Sequence, residues 1–159
     1  RLDGGLYNVL EVPTRIATSG YTVALTQDYI DAQLAAATGT PALVGLNLGA
    51  TEMGLGLPAE ATWESDYGYI LDAIHAKWPA ARCYIMRPWR VGYTAAANTV
   101  AGWINTVLAT RSAWAFVGPD ERVFLENGDN GATYLADGLH PTDAGYHLTG
   151  QQWRGVMGI

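Results

Sequence analysis

At 159 residues the chain suits a single domain spanning positions 1–159, large enough to bury about two thirds of its unfolded surface without a metal or disulfide staple. Hydrophobic residues make up 49% and charged residues 15%, which excludes a disordered chain or a coiled coil. Fifteen acidic against nine basic residues give a net charge of −6 with no run of like charges, which argues against nucleic acid as a partner. No apolar run reaches the roughly 20 residues needed to cross a bilayer, so no membrane partner is expected. Cys83 is the single cysteine, which rules out an internal disulfide framework and a Cys-rich zinc site. The chain starts at Arg1 with neither an initiator Met nor a signal peptide, as a mature or truncated product would, so its compartment is not readable.

In chain order, Pro13–Thr18 reads as a strand ending in the turn Ser19-Gly20. A helix follows, with Val23, Ile30 and Leu34 on one face, and Gly39-Thr40-Pro41 stops it. Ala42–Leu48 is nearly continuously apolar, as a strand covered on both faces should be. From Ala59 to Trp78 the residues Trp63, Tyr67, Ile70, Leu71, Ile74 and Trp78 form a broad helical stripe that Pro79 closes. Arg82–Arg87 reads as a strand and Ala95–Ala109 as a helix presenting Val100, Trp103, Ile104, Val107 and Leu108. A short strand is expected at Arg122–Glu126, before the Gly-rich loop Asn127–Gly131, and a closing helix at Thr142–Val156.

Strands separated by long helices imply right-handed crossovers, hence a doubly wound, flavodoxin-like α/β fold with a parallel sheet and helices on both faces. Functional residues of such sheets gather on the loops after the strand C-termini. Those loops are Ser19-Gly20, Gly49–Gly54, Pro88–Gly92 and Asn127–His140.

The most specific segment is DGLHPTDAGY, Asp137 to Tyr146. A carboxylate three residues before a histidine on a constrained loop can fix the imidazole tautomer and stabilise its cation. The same spacing also suits a plain loop hydrogen bond. Pro141 stiffens the loop, and Thr142 is placed to cap the final helix.

This segment closely resembles the last block of the SGNH, or GDSL-like, hydrolases, which holds the catalytic Asp and His. Ser19-Gly20-Tyr21-Thr22 resembles the second block, and Leu48-Gly49-Ala50-Thr51-Glu52 falls where the third block, Gly-x-Asn-Asp, ends its strand. The resemblance implies a serine esterase for small acyl esters, acetylated carbohydrate included; no cofactor and no metal are assigned. It implies His140 as base, Asp137 as its orienting carboxylate, and an oxyanion hole from the Gly20 N–H and Thr51. Two departures stand out. Thr51 replaces the family's asparagine, with Glu52 in place of the aspartate, and the Gly-Asp-Ser block that carries the nucleophile is not found, since no serine precedes Ser19.

The domain is therefore expected to be incomplete at its N-terminus, missing or replacing its first strand. A gap beside Ala42–Leu48 would favour a homodimer or exchange of the N-terminal segment, unless Gly5–Val12 folds back as a substitute strand. Ser19 is the remaining nucleophile candidate; Ser65 on a helix and Ser112 in a loop are not. Trp89 and Arg90, after a strand at the functional edge, are the substrate-binding candidates. A non-catalytic carbohydrate-binding module, using Trp89, Tyr93 and Trp114 as a stacking surface, is the alternative. His75, His147 and Cys83 read as structural. Asp129 and Asn130 lack the spacing of a calcium loop.

Overall fold

The structure, a computed structural model, describes residues 5–8 and 22–159. Four strands form one sheet in the order β1 (Gly5–Asn8), β2 (Leu43–Asn47), β3 (Arg82–Arg87), β4 (Ala115–Asp120). β2, β3 and β4 run parallel, while β1 pairs antiparallel with β2 in the register Gly5↔Asn47 to Asn8↔Val44. Folding back of a substitute strand, the alternative to dimerisation or segment exchange, is thus the arrangement found over Gly5–Asn8. The strand expected at Pro13–Thr18 lies outside the described residues.

Among the described residues there are six helices: α1 (Val23–Ala36), α2 (Ala50–Leu55), α3 (Glu60–Lys77), α4 (Thr94–Ala109), α5 (Glu121–Leu125) and α6 (Asp143–Met157). Thr22 caps α1 by accepting from the Leu25 N–H, and the Lys77 ammonium donates to the Leu34 and Ala37 carbonyls at the other end. The apolar stripe of α3, from Trp63 to Ile74, is buried to within 1% exposure against α1, α4 and one face of the sheet. Trp63 stacks obliquely on Tyr67 and Trp103, with ring centroids 4.7 and 5.5 Å apart. Val44, Leu46, Cys83 and Ile85 supply the sheet side of this core. On the opposite face Leu43, Tyr84 and Phe116 meet Met157 and Trp153 of α6. Helices therefore cover both faces, as the alternation of elements implies.

One expected element is corrected. Residues Arg122–Glu126 are not a strand; they fall largely in α5, and the last strand lies earlier, at Ala115–Asp120. Asp120 accepts from the Arg122 N–H and caps the helix, and Arg122 pairs with Glu126 one turn on at 3.0 Å. Pro119 is tolerated in β4 because β4 is an edge strand.

The start of α6 is packed without slack. Thr142 accepts from the Gly145 N–H at 3.2 Å and donates its own N–H to the Tyr134 carbonyl at 2.8 Å. A Cβ on Gly145 would lie 2.2 Å from that carbonyl oxygen and 3.0 Å from Pro141 Cβ. Gly145→Ala is expected to destabilise the chain by about 1–3 kcal/mol through overpacking. Urea unfolding checks this, and an unchanged midpoint would mean that the turn yields freely.

Candidate active site

The carboxyl ends of β2, β3 and β4 deliver every loop of the site to one edge of the sheet. The loop after α5 folds back on itself through a bridge between Leu135 and Pro141 and a 2.8 Å bond from the Ala136 N–H to the His140 carbonyl. Gly138 sits at φ +79°, where a side chain would be strained. Its carbonyl accepts from the Val91 N–H at 3.0 Å, which fastens the loop to the segment following β3.

Within this frame Asp137 and His140 meet. Asp137 Oδ2 lies 2.7 Å from His140 Nδ1, while Oδ1 accepts from the N–H groups of His140 at 2.8 Å and Leu139 at 3.0 Å. The backbone N–H of His140, then its ring, hold the Asp137 carboxyl down at about 2, so it is ionised at neutral pH. A carboxylate at Nδ1 selects the tautomer with its proton there and leaves Nε2 as the acceptor. No described residue bonds to Nε2. The pair is half-exposed, so a substrate can reach it.

Opposite the base loop, Gly49 at φ +111° turns the chain from β2 into α2, which carries Thr51 in its first turn. The Thr51 hydroxyl has no hydrogen-bond partner among the described residues. Its neighbour Glu52 is buried and accepts from the Val23 N–H at the start of α1. Desolvation raises the Glu52 pKa, and the bond from Val23 moderates the shift. Ser19 and Gly20 lie outside the described residues.

Arg90 and Trp89 separate. The Arg90 guanidinium packs on α2 so closely that a Cβ at Gly54 would lie 1.9 Å from its Nη1, and its Cζ stands 4.8 Å from the Tyr93 ring centroid. It thus stands between the helix of Thr51 and the segment that fastens the base loop. Trp89 is instead 1% exposed, its ring against Gly131, and cannot present a face to substrate. Trp114 is stacked on His75 with centroids 4.2 Å apart, and its carbonyl accepts from Cys83 near the N-terminal end of β3, the opposite edge of the sheet. The expected stacking surface of Trp89, Tyr93 and Trp114 is therefore not formed. Cys83 is buried in the core and its thiol is pushed up to about 12 by desolvation, which suits a structural residue.

Glu121 was not singled out by its sequence context. It is the first residue of α5, is 7% exposed, and its Oε2 accepts from the Trp89 N–H at 2.9 Å while Oε1 lies 3.4 Å from Asn47 Nδ2. An acidic residue directly after a strand was the one available signal. Desolvation pushes its pKa up to about 7, against the opposing pull of those two donors.

The chain is thus an α/β protein whose three parallel strands carry, on the loops beyond their carboxyl ends, a histidine hydrogen-bonded to an ionised carboxylate. The profile of the GDSL-like lipase/acylhydrolase family matches residues 2–148, and the chain belongs to that family. No curated protein sequence matches it. Among solved structures it is similar to the Clostridium thermocellum family 3 carbohydrate esterase, with TM-score 0.68, 17% identity, and coverage of 87% of this chain and 66% of that one. An acetyl esterase variant with acetate ion gives TM-score 0.68, 16% identity, and coverage of 84% and 65%. A G-D-S-L family lipolytic protein from Desulfitobacterium hafniense gives 0.70, 17%, and 87% and 77%. The chain thus spans just under two thirds of the first two.

The raised Glu121 pKa has a consequence for stability. Below pH 4.5 both folded and unfolded chains hold the proton; between 4.5 and about 7 the unfolded chain releases it first, so stability falls as pH rises, then levels off. The loss from this group is about 3 kcal/mol. Glu52, also raised, adds to the same fall. Glu121→Gln should therefore gain about 3 kcal/mol on the wild type between pH 4 and pH 8. Urea unfolding across that range checks it, and parallel curves for the two chains would contradict the assignment.

Proposed function

We propose that the chain is the base-bearing part of an SGNH-type serine esterase acting on small acyl esters, acetylated carbohydrates among them. Its nucleophile would sit in a Gly-Asp-Ser block preceding Arg1. The observation that carries this reading is the 2.7 Å contact between Asp137 and the Nδ1 of a His140 whose Nε2 has no partner among the described residues.

In this scheme His140 Nε2 takes the proton of the serine hydroxyl as its oxygen attacks the ester carbonyl carbon. Asp137 holds the ring and stabilises the imidazolium. The Gly20 N–H and the Thr51 hydroxyl donate to the oxyanion. An oxyanion donor is typically worth about 2.7–4 kcal/mol. The hydroxyl of Thr51 offers one donor on a freely rotating bond, less preorganised than the amide of the family's asparagine. As the tetrahedral adduct collapses, His140 returns the proton to the leaving alcohol, and water then repeats the sequence on the acyl-enzyme. Arg90, against the helix of Thr51, is placed to bind a polar group of the substrate. The structural likeness to a carbohydrate esterase and an acetyl esterase supports small acyl groups and sugar alcohols.

The codons preceding that of Arg1 test the register directly: an in-frame Gly-Asp-Ser is expected, and its absence would end this account. The chain extended to include that block is expected to hydrolyse p-nitrophenyl acetate. His140→Ala should lower kcat by about 10³-fold or more, and Asp137→Asn by a similar factor. Turnover indifferent to both substitutions would place the base elsewhere. For the 159-residue chain alone, a fluorophosphonate probe should leave Ser19 unlabelled.

A further inference from the structure

Two arms of the site belong to different loops, and nothing in the catalytic scheme sets the spacing between them. The oxyanion arm runs from Asn47, the last residue of β2, through Gly49 to Thr51. The base arm runs from Trp89 and Val91 to Gly138 and His140, joined by the 3.0 Å bond from Val91 to Gly138 and by Gly131 packed on the Trp89 ring. One buried side chain reaches both. Glu121 Oε2 accepts from the Trp89 N–H at 2.9 Å and Oε1 faces Asn47 Nδ2 at 3.4 Å.

We propose that Glu121 is a positioning residue, a buried carboxylate that joins the oxyanion arm to the base arm and fixes the distance between Thr51 and His140. The inference rests on the esterase reading for its functional meaning, but the coupling is a property of this chain alone. A carboxylate so placed is an expensive choice for mere filling, because the interior penalises its charge and supplies few donors. Among the described residues its two hydrogen-bond partners are Asn47, which ends β2, and Trp89, in the segment after β3. The side-chain oxygen of Asn47, Oδ1, is buried with no hydrogen-bond partner among the described residues. Hence this contact is tuned by protonation: a neutral Glu121 can donate to Oδ1 once the Asn47 amide turns over, whereas the carboxylate accepts from Nδ2. The charge that acts on it is that of Asp120, the preceding residue, whose carboxylate is 3.8 Å from Arg87 Nη1. Neither displaces Asn47 or Trp89 as its hydrogen-bond partner.

Amide NMR of the 159-residue chain between pH 5 and pH 9 tests the link without requiring turnover. In the wild type one transition near pH 7 is expected at the Trp89 N–H, the Asn47 side-chain amide, the Gly49–Thr51 amides and the Val91, Gly138 and His140 amides. Subtracting the Glu121→Gln titration leaves that shared transition and cancels every change that does not pass through Glu121. Asn47→Ala should abolish it in the Gly49–Thr51 arm and leave it in the Trp89–His140 arm, an outcome that a general loss of packing would not give. A difference transition confined to one arm of the wild type, or equal in the wild type and Glu121→Gln, overturns the proposal. In the extended chain Glu121→Gln should lower kcat about tenfold with KM within twofold, and Glu121→Ala should lower it further. Equal losses in the two variants would also overturn it. An inactive wild-type extended chain would instead refute the esterase reading, and the NMR result would stand separately.

Discussion

A carboxylate accepting a backbone N–H is the interaction on which the functional edge of this protein depends. Asp137 accepts from Leu139 and His140, Glu52 from Val23, Glu121 from Trp89, and Asp120 from Arg122. The Val23, Trp89 and Arg122 bonds are made near the ends of regular elements and those of Leu139 and His140 within the loop before α6, where amides lack helix or sheet partners. A neutral acceptor would satisfy those amides too, but an ionised one forms a shorter and stronger bond, roughly twice the neutral case. The burial of the carboxylate decides what that strength costs. Asp137 is half-exposed and its pKa is lowered; Glu52 and Glu121 are buried and theirs are raised. The site is thus built from one interaction with two opposite electrostatic outcomes.

That division suits the chemistry. In the proposed scheme Asp137 must be ionised to stabilise an imidazolium, and it keeps its water and its donors, so its charge persists at neutral pH. The residues that hold loops in place lie in the interior, where a geometry once formed is shielded from competing water. They lower stability at neutral pH and in return leave little freedom to the backbone they bind. A chain selected for stability alone would have no reason to keep two of them beneath one edge of its sheet.

Much of this was legible in the sequence, and for a physical reason. Long helices with a broad apolar face declare themselves by period, so Ala59–Trp78 was expected where Glu60–Lys77 is found, and Arg82–Arg87 was expected and found as a strand. The Asp137–His140 pair was legible because it is local, three residues apart on one constrained loop. The misses share the opposite property. β4 contains Gly118 and Pro119, which mark a turn unless the strand is known to lie at an edge. α2 is six residues long with glycines beside and within it, too short for a period to register. Trp89 and Glu121 depend on each other across 32 residues; neither the burial of the one nor the role of the other has any local signature.

The sheet edge brings the argument back to the nucleophile. Each edge of β2 can pair with one strand, and β3 holds one of them. The other is taken by β1, whose antiparallel register satisfies the β2 backbone from Val44 to Asn47. A nucleophile-bearing strand seated beside β2, in parallel with the rest of the sheet, would therefore have to displace Gly5–Asn8, because the two cannot bond the same carbonyls and amides at once. The bonds lost and gained in that exchange are alike in kind, so backbone pairing alone would not decide it. The decision falls to side-chain burial: a parallel strand at this position is interior and covered on both faces, and apolar burial contributes about 25 cal/mol per Å². β2, β3 and β4, with the loops that carry Thr51, Arg90 and His140, need no rearrangement in either case. In the proposed scheme the base and the Thr51 donor therefore sit on loops beyond the parallel strands, not on the segment that occupies the remaining edge.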